Sequence, residues 1–289
     1  MTMRSGSFLN LGPHGFHRVA YTEWGDRDNP QIVICMHGLT RNGRDFDALA
    51  QSLAHERRVI CPDVPGRGES EWLAHAEDYN YPVYLAAAAA LIARVTAPGA
   101  GGETGTIDWV GTSMGGLIGM LLAAQPNSPI RRLVLNDVGP FIPKESLRRI
   151  AMYVGKDPRF QSMQELESYI RTVSAPFGPL TDAQWRHLSV HSARRLDDGS
   201  FGLRYDPGIG IPFSTGPLED VDLWPAYDAI RCPTLLLRGA QSDLLLPATA
   251  AEMTRRGPRP ELVEFAGVGH APMLMADDQI DAVRRFLLH

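Results

Sequence analysis

Short runs of consecutive apolar residues alternate along this chain with segments of helical spacing. Residues 31–36 (QIVICM) are a continuous apolar run, which predicts a strand buried on both faces of a sheet, and residues 130–136 (IRRLVLN) predict a further strand. Helical patterns lie between them, as in residues 81–96, which Pro98 and Gly99 follow and terminate. This alternation predicts an α/β fold in which helices cover both faces of a mostly parallel sheet.

The alternation stops in the middle of the chain. From residue 141 to residue 222 there is no run typical of a buried strand, and three helix-like segments take its place: residues 144–154, 163–173 and 182–195. The strand pattern returns at residues 232–239. We therefore predict a core made of residues 1–140 and 223–289, with a helical cap inserted at residues 141–222.

Composition and charge narrow the function classes. The 289 residues are 44% hydrophobic and 21% charged, with a net charge of −5 at pH 7, which is typical of a globular protein with a sizeable core. The arginine pairs are dispersed along the chain, so no nucleic acid partner is expected. No apolar segment reaches the roughly 18 residues of a membrane span, and the N-terminus has no apolar signal region. We expect a cytoplasmic protein that does not bind membranes.

Neither a disulfide framework nor a metal site is predicted. Three cysteines lie beside apolar runs without C-x-x-C spacing, which favours small buried thiols: Cys35, Cys61 and Cys232. His187 and His191 have the i, i+4 spacing of two ligands on one helix face, but Leu188 stands where the zinc-protease pattern requires glutamate. We interpret these two histidines as a packing pair.

A G-x-S-x-G pattern, GTSMG at residues 111–115, lies between a predicted strand and a predicted helix. A sharp turn from strand to helix holds a serine out at the helix start, and it requires small residues on either side of that serine. Gly111, Gly115 and Gly116 meet this requirement. The pattern predicts Ser113 as a nucleophile, the alternative being an incidental serine in a glycine-rich turn.

His37, Gly38 and Leu39 directly follow the first buried strand. A backbone N–H in this segment can point at the same position as the N–H of Met114, and two such amides form an oxyanion hole. The alternative is a turn that merely ends the strand. Only its order relative to Ser113 gives the segment functional weight.

Asp243 and His270 each follow a late strand, in the segments GAQSD and GVGH, and binding sites gather at the carboxyl ends of parallel strands. The order Ser113, Asp243, His270 is that of a triad on a sheet of this type. A serine hydroxyl is a weak nucleophile at neutral pH, so His270 is predicted to take its proton. Asp243 is predicted to hold the imidazole in the correct tautomer.

Five segments, HGLTRNGRDF, DVPGRGES, GTSMGG, GAQSD and GVGHAP, together resemble the α/β-hydrolase fold superfamily with an inserted cap. The resemblance spans almost the whole chain and implies an eight-stranded sheet. It implies Ser113, Asp243 and His270 as the triad and the amides of Leu39 and Met114 as oxyanion donors.

Other residues have a tempting and a plain interpretation. Asp137, in LNDVGP after a strand, occupies a place that some members of the superfamily use for the acid, and we rank it below Asp243. Asp63, in DVPGRGES, is interpreted as structural. Four aromatic residues of the predicted cap are assigned to no site, since aromatic residues on helices usually belong to the core: Tyr153, Tyr169, Phe177 and Trp185.

A serine nucleophile argues against haloalkane dehalogenases and epoxide hydrolases, which resemble this chain but carry aspartate there. The leading hypothesis is a hydrolase of carboxylic esters of small to medium acyl size, acting through an acyl-enzyme on Ser113. This chemistry requires no cofactor, and the expected partner is a small ester-like substrate. The natural substrate and the oligomeric state are left open.

The same machinery serves lactonases, thioesterases, polyester-oligomer hydrolases and hydrolases of carbon–carbon bonds. Aromatic-pathway enzymes of the last kind often have tryptophan after the catalytic histidine, where Ala271 stands here, and a glycine-richer segment than Leu39-Thr40. A hypothesis of a different class is a ligand receptor that uses the capped pocket for binding. An intact set of Ser113, Asp243 and His270 favours turnover.

Overall fold

The computed structural model describes residues 2–97 and 106–289. The strands in these residues are β1 (Arg4–Gly12), β2 (Gly15–Trp24), β3 (Ile32–Met36), β4 (Arg58–Pro62), β5 (Ile107–Thr112), β6 (Ile130–Asn136), β7 (Phe141–Ile142), β8 (Ala193–Arg195), β9 (Phe201–Leu203), β10 (Val221–Asp222), β11 (Thr234–Gly239) and β12 (Glu261–Phe265). The α-helices are α1 (Asp47–Leu53), α2 (Tyr81–Thr96), α3 (Met114–Ala123), α4 (Lys144–Ala151), α5 (Met163–Val173), α6 (Asp182–Ser192), α7 (Trp224–Ala229), α8 (Pro247–Met253) and α9 (Asp277–Leu288). The predicted stop at Pro98 and Gly99 lies outside the described residues.

Eight strands form one sheet in the order β1-β2-β4-β3-β5-β6-β11-β12. Neighbours from β4 to β12 pair in parallel, whereas β2 is antiparallel to both β1 and β4. The predicted eight-stranded, mostly parallel sheet is therefore confirmed. The loops that follow β3, β5, β6, β11 and β12 all leave the same edge of this sheet.

Successive residues of β3 belong to opposite faces of the sheet. Ile32, Ile34 and Met36 lie in one core cluster, and Val33 and Cys35 lie in the other. The first cluster includes side chains of α2 and α3, and the second includes side chains of α1 and α9. Helices thus cover both faces, as the fully apolar strands predict.

The edge strand β1 has no counterpart among the sequence predictions. It pairs with β2 in antiparallel register, beginning with Arg4 opposite Glu23. Its Leu9 and Leu11 are 66% and 60% exposed. Because an edge strand is half solvated, it needs no continuous apolar run, and its pattern is weak.

Residues 141–222 lie between β6 and β11 and carry α4, α5 and α6. Helix α5 has the predicted bounds, whereas α4 ends at Ala151 and α6 at Ser192, each three residues before the predicted end. The antiparallel pair β8 and β9 follows α6. That these residues form a separate cap domain stays a prediction.

Contacts fix this segment against loops at the carboxyl edge of the sheet. Ser146 Oγ donates to the carbonyl oxygen of Asp243 (2.7 Å), and Asn42 Nδ2 donates to the carbonyl oxygen of His191 (3.0 Å). The space between the segment and the sheet edge is therefore where a ligand can be enclosed.

Two further predictions concern the three cysteines and membrane-spanning helices. The three cysteines are free, with Cys35 and Cys61 buried and Cys232 half-buried, and burial raises the pKa of the Cys61 thiol. Among the described helices, none combines the length and the apolar character that crossing a bilayer requires.

Candidate active site

Ser113 lies in the turn between β5 and α3, with φ 53° and ψ −119°. This region of φ is strained for a residue with a side chain. A Cβ atom on Gly111 would lie 2.3 Å from the carbonyl oxygen of Gly115, and a Cβ on Gly115 would lie 2.1 Å from the carbonyl oxygen of Met36. The predicted need for glycine on both sides of Ser113 is thus a matter of space for the backbone.

Three side chains form a hydrogen-bonded chain at this turn. Ser113 Oγ donates to His270 Nε2 (2.9 Å), and His270 Nδ1 donates to Asp137 Oδ2 (2.7 Å). Ser113 and Asp137 follow the adjacent strands β5 and β6, and the Ser113 N–H donates to the carbonyl oxygen of Asn136 (3.0 Å). Sheet pairing therefore sets the distance between the serine and the acid.

The Asp137 carboxylate is fully buried, and both of its oxygens accept hydrogen bonds. Its Oδ1 accepts from the backbone N–H of Gly239 (2.8 Å), and its Oδ2 accepts from Ser242 Oγ (2.6 Å) as well as from His270. A buried carboxylate needs such donors because it has lost its water. These bonds fix the acid in the orientation that meets the imidazole.

The prediction that Asp243 is the partner of His270 is wrong. The Asp243 side chain is 55% exposed and forms an ion pair with Arg149, in which Nε lies 2.6 Å from Oδ2 and Nη2 lies 3.0 Å from Oδ1. The loop after β11 turns so that Ser242, the preceding residue, faces Asp137. Position after a strand is common to both aspartates, so the direction of each side chain decides between them.

The segment after β3 lies against the serine, as predicted. A Cβ on Gly38 would lie 3.6 Å from the Ser113 Cβ, and Leu39 lines the cavity next to the serine. Met114 is the first residue of α3, whose N–H has no partner inside the helix. Within the described parts of the chain, neither the Leu39 nor the Met114 amide donates a hydrogen bond, so both are free for an oxygen atom.

The His37 side chain joins this segment to the loop after β4 by hydrogen bonds. It is fully buried, its Nδ1 donates to the Gly38 carbonyl oxygen (2.7 Å), and its Nε2 accepts from the Val64 N–H (2.9 Å). Burial lowers the pKa of His37 to about 3, so the ring is neutral at pH 7. A neutral ring with one donor and one acceptor matches these two partners.

Sequence reasoning missed Arg67, which belongs to the segment DVPGRGES. Its guanidinium is fully buried, with Nε 2.8 Å from the Leu39 carbonyl oxygen and Nη1 3.0 Å from Tyr84 Oη. It also lies 5.6 Å from the centre of the Tyr79 ring and 5.0 Å from that of Tyr84. Among the described carboxylates none forms an ion pair with it. The glycines of the motif indicate a turn and give no indication of a buried cation.

Asp63 fits its structural interpretation. Its Oδ1 accepts from the Gly43 N–H (2.7 Å), and its Oδ2 accepts from the Glu69 N–H (2.8 Å). Burial raises the pKa of Asp63 to about 7. The carboxyl group thus joins the loop after β4 to the loop after β3.

A cavity of about 130 Å³ lies beside Ser113 and His270. Three of the four aromatic residues that the sequence assigned to no site line it: Tyr153, Tyr169 and Phe177. Trp185 is buried 6.5 Å from the Phe177 ring, measured between ring centres. Helical pattern alone did not distinguish aromatic residues that face a cavity from those that face the core.

His187 and His191 lie near Asp47, with candidate ligand atoms within 4.8 Å of one another. Arg44 contacts all three residues of this group. Its guanidinium binds both oxygens of Asp47, its carbonyl oxygen accepts from His187 Nε2 (2.9 Å), and its Nη1 lies 3.5 Å from His191 Nδ1. The candidate ligand atoms thus already have partners on Arg44, which favours the packing interpretation.

Comparisons with known proteins agree on one family. The profile of the Alpha/beta hydrolase family matches residues 33–284. The chain is 45% identical over 291 residues to the 3-hydroxybutyrate-oligomer hydrolase of Cupriavidus necator, covering 98% of this chain and 97% of that protein. It is 32% identical over 249 residues to an esterase of Mycobacterium tuberculosis, covering 82% and 75% of the two chains.

Solved structures give the same result. A putative hydrolase from Rickettsia typhi matches with a TM-score of 0.90 and 31% identity, over 100% of this chain and 99% of that one. An alpha/beta hydrolase from Novosphingobium aromaticivorans matches with a TM-score of 0.85 and 36% identity, over 99% and 98%.

Proposed function

Because the chain belongs to the alpha/beta hydrolase family and is a hydrolase of carboxylic esters, we propose that Ser113, His270 and Asp137 are its catalytic triad. The observation that carries the proposal is the continuous path of hydrogen bonds from Ser113 Oγ through both ring nitrogens of His270 to Asp137. Each residue then has one role: nucleophile, base and orienting acid.

In the first half of the reaction, Ser113 Oγ attacks the ester carbonyl carbon while His270 Nε2 takes the hydroxyl proton. The negative charge that forms on the carbonyl oxygen is stabilised by the amides of Leu39 and Met114. Asp137 stabilises the imidazolium through its bond to Nδ1. When the tetrahedral intermediate collapses, the carbon–oxygen bond breaks, and the alcohol leaves with the proton that His270 carried.

In the second half, water takes the place of the alcohol. His270 removes a proton from the water, which attacks the acyl-enzyme on the face that the alcohol left. The same two amides stabilise the second oxyanion. Collapse then releases the acid, and the Ser113 hydroxyl recovers its proton from His270.

We further propose that the substrates are short oligoesters of small hydroxy acids. Two facts support this: the near full-length similarity to the 3-hydroxybutyrate-oligomer hydrolase, and a cavity of about 130 Å³ beside Ser113, which suits short acyl units. Residues 141–222 act as a cap in this proposal, since they contribute Tyr153, Tyr169 and Phe177 to the wall.

The test is hydrolysis of the 3-hydroxybutyrate dimer and of p-nitrophenyl butyrate by the wild type and by Ser113→Ala. We expect turnover of both esters by the wild type and a rate at least roughly 10³-fold lower in the variant. Ser168→Ala is the matched control because Ser168 is an exposed serine of α5. Full activity in Ser113→Ala, or tight ligand binding without turnover in the wild type, would contradict the proposal.

A further inference from the structure

We propose that the cavity is built for esters that carry a free carboxylate, and that the Arg41 guanidinium binds this carboxylate next to the reacting bond. The inference deepens the proposed function and rests on it. In a 3-hydroxybutyrate dimer, the free carboxylate belongs to the alcohol half, with three atoms between its carbon and the ester carbonyl carbon. An acid-binding group must therefore lie close to Ser113.

The first observation is the charge of the cavity wall. Its charged side chains are three arginines and one aspartate: Arg41, Arg149, Arg204 and Asp45. The whole chain carries a net charge of −5, so the wall has the opposite sign to the molecule. A cleft lined by one sign of charge concentrates ligands of the other sign.

The carboxylates that pair with two of these arginines do not line the cavity. Arg149 pairs with Asp243, which is 55% exposed, and Arg204 pairs with Glu69, which is 68% exposed. Exposed partners are screened by water and bind weakly. Both arginines therefore add to the positive potential inside the cavity.

The second observation is how Arg41 is held. Its Nε and Nη2 donate to the two oxygens of Asp45 (2.8 and 2.7 Å), and its Nη1 donates to Ser192 Oγ (3.0 Å). Its side chain is only 11% exposed, and its guanidinium carbon lies 5.8 Å from the centre of the Phe177 ring. The guanidinium is thus fixed before a substrate arrives, which reduces the entropy cost of binding.

The guanidinium has donors to spare. Arginine carries five N–H donors, and three of those of Arg41 are used by Asp45 and Ser192. For the other two, on the terminal nitrogens, the described residues provide no acceptor. One of these N–H groups is on each terminal nitrogen, and a carboxylate oxygen can accept from each of them. Since Asp45 balances the charge of Arg41, we attribute binding mainly to these two hydrogen bonds, and the field of Arg149 and Arg204 makes a smaller contribution that each of them supplies only in part.

The third observation is the position of Arg41 relative to the nucleophile. A Cβ atom on Gly38 would lie 3.6 Å from Ser113 Cβ and 3.9 Å from Arg41 Cγ. The Arg41 N–H also donates to the Gly38 carbonyl oxygen (3.1 Å) in the turn that presents Leu39. The stem of Arg41 and the serine therefore flank one glycine, and both residues line the same cavity. We infer that the guanidinium binds a carboxylate one hydroxy-acid unit away from the scissile ester.

The experiment compares two compounds that each carry one ester bond and differ in charge at one end: the 3-hydroxybutyrate dimer with its free carboxylate and the same dimer with that carboxylate replaced by a primary amide. We expect the wild type to prefer the free acid by about 10- to 100-fold in kcat/KM, the value of a charge-assisted hydrogen-bonded pair. Arg41→Gln is expected to abolish this preference, and Arg41→Lys to retain part of it. A merely structural role of Arg41 would lower the rates for both esters and leave their ratio unchanged.

Arg149→Gln and Arg204→Gln are the matched variants, since both residues line the same wall. We expect each to retain most of the preference for the acid. Preference that survives Arg41→Gln, or that is lost in Arg149→Gln or Arg204→Gln instead, would overturn the assignment to Arg41.

A measurement on the wild type alone covers the case of a variant that does not fold. We expect 3-hydroxybutyrate to inhibit p-nitrophenyl butyrate hydrolysis at least tenfold more strongly than 3-hydroxybutyramide does. Equal inhibition, together with equal rates for the dimer acid and the dimer amide, would overturn the inference and leave the esterase intact. Absence of Ser113-dependent turnover of any of these esters would overturn the proposed function and the inference together.

Discussion

The site has an inner group of charged side chains, Asp137 and Arg67, which are buried, and an outer group at its rim, Asp243 and Arg149, which are partly exposed. The two groups differ in their hydrogen-bond partners. Asp137 is fully buried and accepts three hydrogen bonds from protein donors, and the buried Arg67 donates to the carbonyl oxygen of Leu39. At the rim, Asp243 and Arg149 are 55% and 33% exposed and bind mainly each other. Asp137 directly follows β6 and Asp243 lies in the loop after the neighbouring strand β11, so the hydrogen bonds of the loops decide which carboxylate contacts His270.

The largest expected effect is at Asp137. In Asp137→Asn, we expect kcat for ester hydrolysis to fall about 10⁴-fold, because an amide at this position favours the tautomer of His270 that cannot accept the serine proton. The measurement is kcat for p-nitrophenyl butyrate, with circular dichroism to check folding. A fall in kcat of less than tenfold would contradict the proposal that Asp137, and not Asp243, is the catalytic acid.

Substitution of Arg67 tests whether this buried cation contributes to catalysis. We expect Arg67→Lys to lower kcat about 10- to 100-fold with KM changed less than about threefold, because the ammonium group cannot hold the Leu39 carbonyl and Tyr84 together. Steady-state kinetics separate kcat from KM. Arg149→Lys serves as the rim control, and an equal loss in both variants would argue that burial of the cation has no special role.

The buried His37 is expected to make the free energy of unfolding depend on pH in the acid range. Burial lowers its pKa to about 3 from 6.5, so between these values the unfolded state binds a proton that the folded state does not. Its contribution to the free energy of unfolding therefore falls as the pH drops from 6.5 towards 3, by at most about 1.4 kcal/mol per pH unit. Urea unfolding of the wild type and His37→Gln at pH 6.5, 5.5 and 4.5 measures this slope.

We expect a shallower dependence on pH in His37→Gln than in the wild type. Asp63 acts in the opposite direction, because its pKa is raised to about 7, so its contribution to stability is fully present at low pH and is lost as the pH rises towards 7. The difference between the two proteins isolates the histidine. Parallel slopes would show that His37 gains no proton on unfolding.

The smallest expected effect is at the rim. In Asp243→Asn, we expect kcat/KM to change less than about threefold and the free energy of unfolding less than about 1 kcal/mol, because an exposed ion pair contributes little. Kinetics and urea unfolding under the same conditions as for Asp137→Asn provide the comparison. A loss of several orders of magnitude here would restore Asp243 as the catalytic acid.

Local patterns predicted the parts of the fold that repeat a simple period. The apolar run of β3 and the helical spacing of α5 need no tertiary information. The turn at Ser113 was predictable because a Cβ atom on Gly111 or Gly115 would collide with nearby backbone, so glycine is required at both positions. The edge strand β1 was not, since a half-solvated strand carries no strong period.

The acid and the cavity wall depend on contacts between distant segments. Asp137 and Asp243 both follow strands, and only the bond from Ser242 to Asp137 and the pair between Asp243 and Arg149 separate them. Arg67 is recognisable only once Leu39 and Tyr84 surround it. Such contacts join residues that are far apart in the sequence, and the periodic patterns that predict helices and strands give no information about them.

The most direct test of the catalytic assignment is the rate at which a fluorophosphonate labels the protein, with the labelled peptide identified by mass spectrometry. Three proteins are compared: the wild type, Asp137→Asn and Asp243→Asn. We predict a single adduct on Ser113, with labelling slowed by at least roughly 10²-fold in Asp137→Asn and unchanged in Asp243→Asn. An adduct on another residue, or slower labelling in Asp243→Asn with a normal rate in Asp137→Asn, would contradict the account.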